Sequence, residues 1–80
     1  MSKMKRTPED IANARLRQAI KGSAAFYDHS AENQADIAGV SRATWYRRLQ
    51  YPGDITIREF RRLLKKYRWD EQTVLDILRV

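Results

Sequence analysis

Apolar residues recur along this chain at helical spacing, and a capping residue precedes each apolar stretch. Thr7 stands before Pro8 and two acidic residues, a pattern typical of a helix N-terminus. Further caps follow along the chain, at Ser30, Ser41, Thr56 and Asp70. The pattern predicts helices from 8 to between 21 and 27, over about 31–38, over about 42–50, from 57 to about 67, and from 71 onward. No stretch alternates as a strand would, so we expect an all-α fold, a compact bundle of about five short helices.

The same periodicity predicts which side of each helix is buried. In the third helix, a rotation of about 100° per residue places Trp45 and Leu49 on one side. The side chains left facing outward are Ala43, Arg47 and Gln50, flanked by Thr44 and Tyr46. Arg42 lies nearer the buried side, but its long side chain can swing forward. In the fifth helix the predicted inner face consists of Val74, Ile77 and Leu78.

Residues 35–49 carry the clearest functional pattern. They predict a short helix, a turn containing Gly39, a cap at Ser41, and a second helix that is apolar on one side and basic on the other. Two short helices joined by a glycine-bearing turn are typical of a helix-turn-helix, which presents its second helix to a DNA groove. We therefore expect nucleic-acid recognition rather than catalysis, with this motif at the centre of the domain.

The outward side of the third helix carries side chains suited to the major groove. An arginine such as Arg47 can donate two hydrogen bonds to guanine, and a glutamine such as Gln50 can pair similarly with adenine. Ala43 would let the helix approach the groove floor or contact a thymine methyl group. No carboxylate lies between residues 42 and 53 to repel phosphate. We expect Arg48 to reach a phosphate or a neighbouring acid rather than a base.

The positive charge is concentrated around and after this helix. The chain of 80 residues has a formal net charge of +6. Residues 42–68 hold nine basic and two acidic side chains, whereas the remainder holds seven basic and eight acidic ones. This segregation favours a polyanionic partner. A basic helix face that simply faces water is the alternative, and it is the simpler interpretation of Arg61, Arg62, Lys65 and Lys66.

Composition argues against several other classes of function. The absence of cysteine excludes disulfides and thiolate metal sites, and the single His29 cannot build an imidazole metal site or a catalytic triad. No apolar run approaches the ~20 residues of a membrane span, and no signal-peptide pattern follows the N-terminal basic residues. We therefore expect a cytoplasmic, non-enzymatic protein with no metal, cofactor, membrane or small-molecule substrate. Residues 1–6 are predicted to be a flexible basic arm, and residues 7–80 a single helix-turn-helix domain.

The turn and the start of the third helix resemble a known family. The residues that carry the likeness are Ala35, Gly39, Val40, Ser41, Thr44 and Trp45. They resemble the repressor and Cro type of phage helix-turn-helix, the XRE or lambda-repressor-like family. The continuation over 44–56, with its tyrosine-proline break, is similar to a phage-associated subgroup. The resemblance covers about residues 30–78.

The resemblance implies a bundle of about five helices that binds an inverted repeat as a homodimer. It also implies base contacts from the start and outer face of the third helix, at Ser41, Arg42, Ala43, Tyr46 and Arg47. Two positions depart from the family pattern. Gln34 stands where a large aliphatic residue is usual, and Ala31 stands where a phosphate-binding glutamine is usual. Asn33, Gln34 or the N-terminus of the second helix could replace that glutamine. The candidate phosphate contacts are Asn33, Gln34 and Tyr51.

We expect a sequence-specific DNA-binding transcriptional regulator, a phage or prophage repressor- or Cro-like protein that binds double-stranded DNA. The full set of predicted DNA contacts is Ser41, Arg42, Ala43, Thr44, Tyr46, Arg47, Arg48 and Gln50. For Tyr46 an ordinary surface role fits equally well. The alternative function is a non-catalytic protein-interaction module on the same fold, an antitoxin-like or phage assembly component. Its partner surface would be the apolar part of the fifth helix, at Leu75, Ile77 and Val80.

Overall fold

The computed structural model describes residues 7–79, which form five α-helices and one short 3-10 turn. In chain order these are α1 (Pro8–Tyr27), α2 (Ala31–Ala38), α3 (Arg42–Gln50), the 3-10 turn (Pro52–Asp54), α4 (Ile57–Tyr67) and α5 (Glu71–Leu78). No strand occurs within this range, so the predicted all-α fold with five helices is confirmed. The predicted basic arm, residues 1–6, lies outside the described residues, as does Val80.

Every helix begins after the capping residue that the sequence predicts. In each case a side-chain oxygen of the cap accepts a hydrogen bond from the backbone N–H three residues further on. These caps are Thr7, Ser30, Ser41, Thr56 and Asp70. Each bond satisfies one of the N–H groups that the first helical turn leaves unpaired, and contributes about 1 kcal/mol. The local sequence therefore decides where the helices start.

The core lies between the five helices. Trp45 of α3, Ile20 of α1 and Leu63 of α4 are completely buried at its centre. The other buried members of this cluster are Leu16, Ala35, Ala38, Phe60, Tyr67 and Ile77. The second helix packs on both α3 and α4, whereas α1 packs on α5 and on the 3-10 turn. As predicted, Trp45 anchors α3 from the inside, and Leu49 packs at the edge of the core.

The inner face of α5 differs from the prediction at one residue. Ile77 is buried and Val74 packs against the core, but the Leu78 side chain is 55% exposed. Leu78 is the last residue of α5, and the rotation of about 100° from Ile77 turns its side chain away from the core. Leu75 is exposed as well. The uncovered apolar edge of α5 therefore consists of Leu75 and Leu78, without Ile77.

Gln34 lies in the core and not at the surface, where a phosphate contact would require it to be. Only 3% of this residue is exposed. Its side-chain Nε2 donates to the carbonyl oxygen of Ile20 (3.0 Å) and to the hydroxyl of Tyr67 (3.1 Å). That hydroxyl makes a further hydrogen bond of 2.9 Å with His29 Nδ1. Gln34 therefore has no free amide for a DNA phosphate, and its predicted phosphate contact is wrong.

Gln34 is buried within a network of hydrogen bonds that joins several helices. A buried amide is tolerated only when its hydrogen bonds are made inside the protein. Here the amide ties α2 to the backbone of α1 through Ile20, and to α4 through Tyr67. Burial raises the pKa of the Tyr67 phenol, which keeps the hydroxyl protonated and able to hydrogen-bond. The side chains at 34 and 67 thus connect three helices.

Replacing Gln34 by leucine should destabilise the protein, although leucine is more apolar. The substitution Gln34→Leu removes both hydrogen bonds that the Gln34 amide donates, to the Ile20 carbonyl and to the Tyr67 hydroxyl, at a combined cost of about 1–3 kcal/mol in the free energy of unfolding. Urea unfolding followed by circular dichroism measures this cost. In a Tyr67→Phe background the same substitution should cost less, since one of the two acceptors is gone. A leucine variant as stable as the original chain would contradict this account of position 34.

Candidate nucleic-acid interface

Residues 39–41 form the turn between α2 and α3. Gly39 has a left-handed backbone (φ 80°, ψ 32°), and its N–H donates to the carbonyl of Ala35. Such a φ strains any residue with a side chain. The guanidinium of Arg62 also occupies the space that a Cβ at Gly39 would need. Ser41 then caps α3. Glycine is therefore required here by the backbone conformation, whereas the exposed Arg62 side chain can move aside for a Cβ.

Four of the predicted DNA-contacting residues form one exposed stripe along α3. They are Ala43, Tyr46, Arg47 and Gln50. Their spacing of three, four and seven positions places them on the same side of a helix. Trp45 and Leu49 lie on the opposite side, against the core. The structure therefore brings together a methyl group, a phenol, a guanidinium and an amide on one accessible helix face.

Both ends of α3 are held by side chains. At its start, Ser41 Oγ accepts from the Thr44 backbone N–H (3.2 Å) and is hydrogen-bonded to Thr44 Oγ1 (3.0 Å). At its end, Arg17 of α1 donates from Nε to the Leu49 carbonyl and from Nη2 to the Gln50 carbonyl, each at 3.1 Å. These carbonyls belong to the last helical turn, where a cation is favourable. The exposed stripe thus sits on a helix anchored at both ends.

Sequence reasoning missed the role of Arg17. It lies on α1, more than thirty residues before the carbonyls that it binds. No local pattern relates the two segments, because their contact exists only once α1 packs beside the 3-10 turn that follows α3. Arg17 is partly buried in the structure, but nothing in the local sequence distinguishes it from the other basic residues of α1. We regard Arg17 as a positioning residue for α3.

The Arg48 side chain points into the protein, towards Glu59, and not outward from α3. Its Nε and Nη2 donate to the two carboxylate oxygens of Glu59 on α4, at 2.9 and 3.3 Å. The Arg48 side chain is half-buried and Glu59 is buried. A two-point ion pair of this kind holds the guanidinium firmly. Of the two roles expected for Arg48, the structure supports contact with a neighbouring acid, and we remove Arg48 from the set of DNA contacts.

Arg42 is paired much more loosely. Its Nη2 lies 3.5 Å from a carboxylate oxygen of Glu32 on α2, and both side chains are more than half exposed. A surface pair like this contributes little to stability and is weakened by salt. Arg42 can therefore exchange Glu32 for a phosphate at little cost. Its predicted DNA contact stays a prediction, as do those of Ser41 and Thr44, whose hydroxyls first serve the cap.

The two remaining candidate phosphate contacts are accessible. Asn33 uses its Oδ1 to accept from the Ser30 backbone N–H (2.9 Å), which completes the capping box of α2. Its amide Nδ2 remains available at the exposed start of α2. Tyr51 follows α3 directly and is 58% exposed. Both lie at the surface, unlike Gln34, and both stay predictions.

Glu59 is held as a carboxylate by its partners. Burial by itself raises the pKa of this carboxyl group. The hydrogen bonds from Arg48 and from the Thr56 backbone N–H, together with the charge of Arg48, outweigh burial and lower the pKa below its ordinary value of 4.5. The Thr56 bond also completes the capping box of α4. One carboxylate therefore fixes the start of α4 and its contact with α3.

The comparisons with known proteins add no family to this description. The chain matches no protein-family model, no curated protein and no solved structure. Within residues 7–79, no cluster of three or more potential ligands (His, Cys, Asp or Glu) is arranged to hold a metal ion. None of the helices in this range has the length and apolar character that crossing a membrane requires.

The Glu59 carboxylate should make stability depend on pH in the acidic range. A carboxyl group whose pKa is lowered by folding stabilises the protein above its ordinary pKa, and this contribution is lost as the pH falls below about 4.5. Glu59→Gln should therefore cost about 2 kcal/mol at neutral pH, where it leaves Arg48 without its partner. The difference from the original chain should shrink towards about pH 3.

Urea unfolding at the two pH values measures this effect. Glu71→Gln is the matched control, since Glu71 is exposed on α5 and has no ion-pair partner among residues 7–79. A Glu59→Gln cost that is the same at both pH values would show that the carboxylate does not carry the interaction.

Proposed function

We propose that this protein is a sequence-specific DNA-binding transcriptional regulator that places α3 in the major groove of double-stranded DNA. The observation that carries the proposal is the exposed stripe of Ala43, Tyr46, Arg47 and Gln50. An α-helix fits the major groove, and arginine and glutamine can each form two hydrogen bonds with a base edge there. Ala43 keeps the start of the stripe small enough for close approach to the bases.

The way in which α3 is held supports the same function. Base reading requires a helix whose side chains keep their register against the groove. Trp45 is buried beneath α3, Ser41 closes its start, and Arg17 binds carbonyls at its end. The stripe itself contains no carboxylate that would be repelled by phosphate. The α2–α3 unit, with Gly39 between the two helices, is the candidate helix-turn-helix.

The further features of the proposal follow from the likeness to repressor and Cro proteins over residues 30–78. A protein of that type binds an inverted repeat as a homodimer and acts without catalysis or a cofactor. Fold likeness alone does not fix function, so the proposal stands on the α3 surface and takes only its dimeric form and phage-type regulatory role from the resemblance. Double-stranded DNA is the partner that this surface predicts.

A protein-interaction module, antitoxin-like or part of a phage assembly, is the second candidate function. The observation that favours it is the uncovered apolar edge of α5, formed by Leu75 and Leu78. Ile77 belongs to the core instead, and Val80 lies outside the described residues. For this function the α3 stripe would be dispensable, so substitution of Arg47 and Gln50 would leave partner binding intact. The two functions therefore differ in their dependence on α3.

Binding to DNA is tested by fluorescence anisotropy with a labelled duplex of random sequence at low salt, followed by selection from random duplexes. We expect binding that weakens steeply as salt is added, because protein cations displace counterions from the phosphates. Selection should yield an inverted repeat, each half contacted by one α3. Absence of salt-sensitive binding at micromolar protein would contradict the proposal, and absence of any enriched sequence would favour the interaction module.

Removing the guanidinium of the stripe should reduce discrimination between DNA sequences. Arg47→Ala should cost about 1–3 kcal/mol of binding free energy on the selected duplex, because the variant cannot form the two-point hydrogen bond with a base. The cost on random duplex should be smaller. Arg15→Ala on α1 removes the same charge away from the stripe and is the control. Equal costs for both variants would show that Arg47 contributes only charge.

A further inference from the structure

The outer face of α4 carries the densest positive charge in the described structure. Its basic side chains recur at intervals of three, four, seven and eight positions, which aligns them along one side of the helix. All are exposed: Arg58, Arg61, Arg62, Lys65 and Lys66. The opposite side of α4 is buried through Phe60, Leu63 and Tyr67. We call these five cations the α4 basic face.

Among the residues that the structure describes, no carboxylate forms an ion pair with this face. Residues 7–79 contain two ion pairs, Arg42 with Glu32 and Arg48 with Glu59, and neither involves a member of the α4 basic face. The one acidic residue of α4, Glu59, is turned inward to Arg48. A solvated surface helix usually intersperses acids with bases, which lowers repulsion among like charges. The α4 basic face instead keeps its like charges together, as an anion-binding surface does.

The arginines of α3, unlike the cations of the α4 basic face, are mostly paired with carboxylates. Of the three arginines of α3, Arg48 is bound to Glu59 and Arg42 is paired with Glu32. Arg47 alone has no carboxylate partner among the described residues. Holding DNA at physiological salt requires several phosphate contacts, and α3 by itself supplies few cations for them. The α4 basic face is the largest group of exposed cations on any single helix of the described structure.

The α4 basic face is also adjacent to the α2–α3 unit. The guanidinium of Arg62 lies against Gly39, in the turn that leads into α3. Arg58 lines a concave surface together with Gly39 and Val40 of the same turn. The Arg48–Glu59 ion pair joins α3 directly to α4. Two members of the α4 basic face, Arg58 and Arg62, therefore lie beside the turn that leads into α3.

We propose that the α4 basic face is a second DNA-contacting surface, which binds the phosphates of the duplex whose bases α3 reads. This inference rests on the proposed function and extends it. The partner is the phosphate backbone of double-stranded DNA, to which an unbroken row of cations is complementary. In this arrangement α4 supplies affinity that is independent of the DNA sequence, and α3 supplies discrimination between DNA sequences.

The test measures the salt dependence of binding for a charge-removing variant and its matched control. Arg61→Gln with Lys65→Gln removes two cations from the α4 basic face. Arg15→Gln with Lys21→Gln removes one arginine and one lysine from α1, and so has the same composition and net charge. A third variant, Arg61→Lys with Lys65→Arg, exchanges the side chains and keeps the charge. Circular dichroism and urea unfolding establish that each variant is folded.

The slope of log K against log salt concentration is negative, and we expect the α4 variant to make it shallower by about 1.8. This is about 0.9 for each phosphate that the protein no longer neutralises. Its preference for the selected duplex over random duplex should stay unchanged. The α1 variant and the charge-keeping variant should retain the original slope. A slope reduced equally in the α4 and α1 variants would overturn the inference, because net charge alone would then explain the binding.

Failure of this inference is distinguishable from failure of the proposed function. If the original chain binds DNA with a preference that depends on Arg47, but the α4 variant keeps the full salt slope, the base-reading function stands and the α4 contact is refuted. If the original chain shows no salt-sensitive binding to any duplex, both the proposed function and the α4 contact are refuted. A reduced slope with an intact sequence preference supports both.

Discussion

The ion pair between Arg48 and Glu59 is the interaction on which the arrangement of charge in this protein depends. Glu59 is buried and Arg48 is partly buried, so the carboxylate in particular needs its partner: a buried charge left alone costs far more than the pair contributes. Glu59 also accepts from the Thr56 N–H at the start of α4. The same carboxylate therefore completes the capping box of α4 and forms the ion pair between α4 and α3. The first turn of α4 is thereby held in a fixed position relative to α3.

The ion pair also determines what the two helices present to their surroundings. Because Arg48 turns inward, the outward side of α3 is left to Arg47 and its neighbours, a mixture of a guanidinium, a phenol, an amide and a methyl group. Because Glu59 turns inward, the outer face of α4 is left with cations alone. The two helices thus carry exposed surfaces of different chemistry, one mixed and one purely basic, and Arg62 of the basic one lies against Gly39 in the turn before α3.

Much of the fold was predictable because its signals are local. A cap needs only its own side chain and the N–H three residues on, so Ser30, Ser41 and Thr56 mark helix starts without reference to the rest of the chain. The exposed stripe of α3 was predictable for a similar reason, since burial of Trp45 decides which side faces outward. The predictions for Gln34 and Leu78 were wrong because burial at these positions depends on neighbours from other helices, and residue type alone does not reveal those neighbours.

The sequence by itself determined the all-α class, the helix starts, the side of α3 that faces outward and the concentration of positive charge after residue 41. All of these follow from interactions within about one helical turn, or from composition. Only the tertiary structure decided the partner of Arg48, the burial of Gln34 beside Tyr67, and the hold of Arg17 on the end of α3. Each of these joins residues from different helices, and hydrogen bonds and ion pairs form only at a distance of a few ångströms. Their partners therefore exist only after the helices have packed.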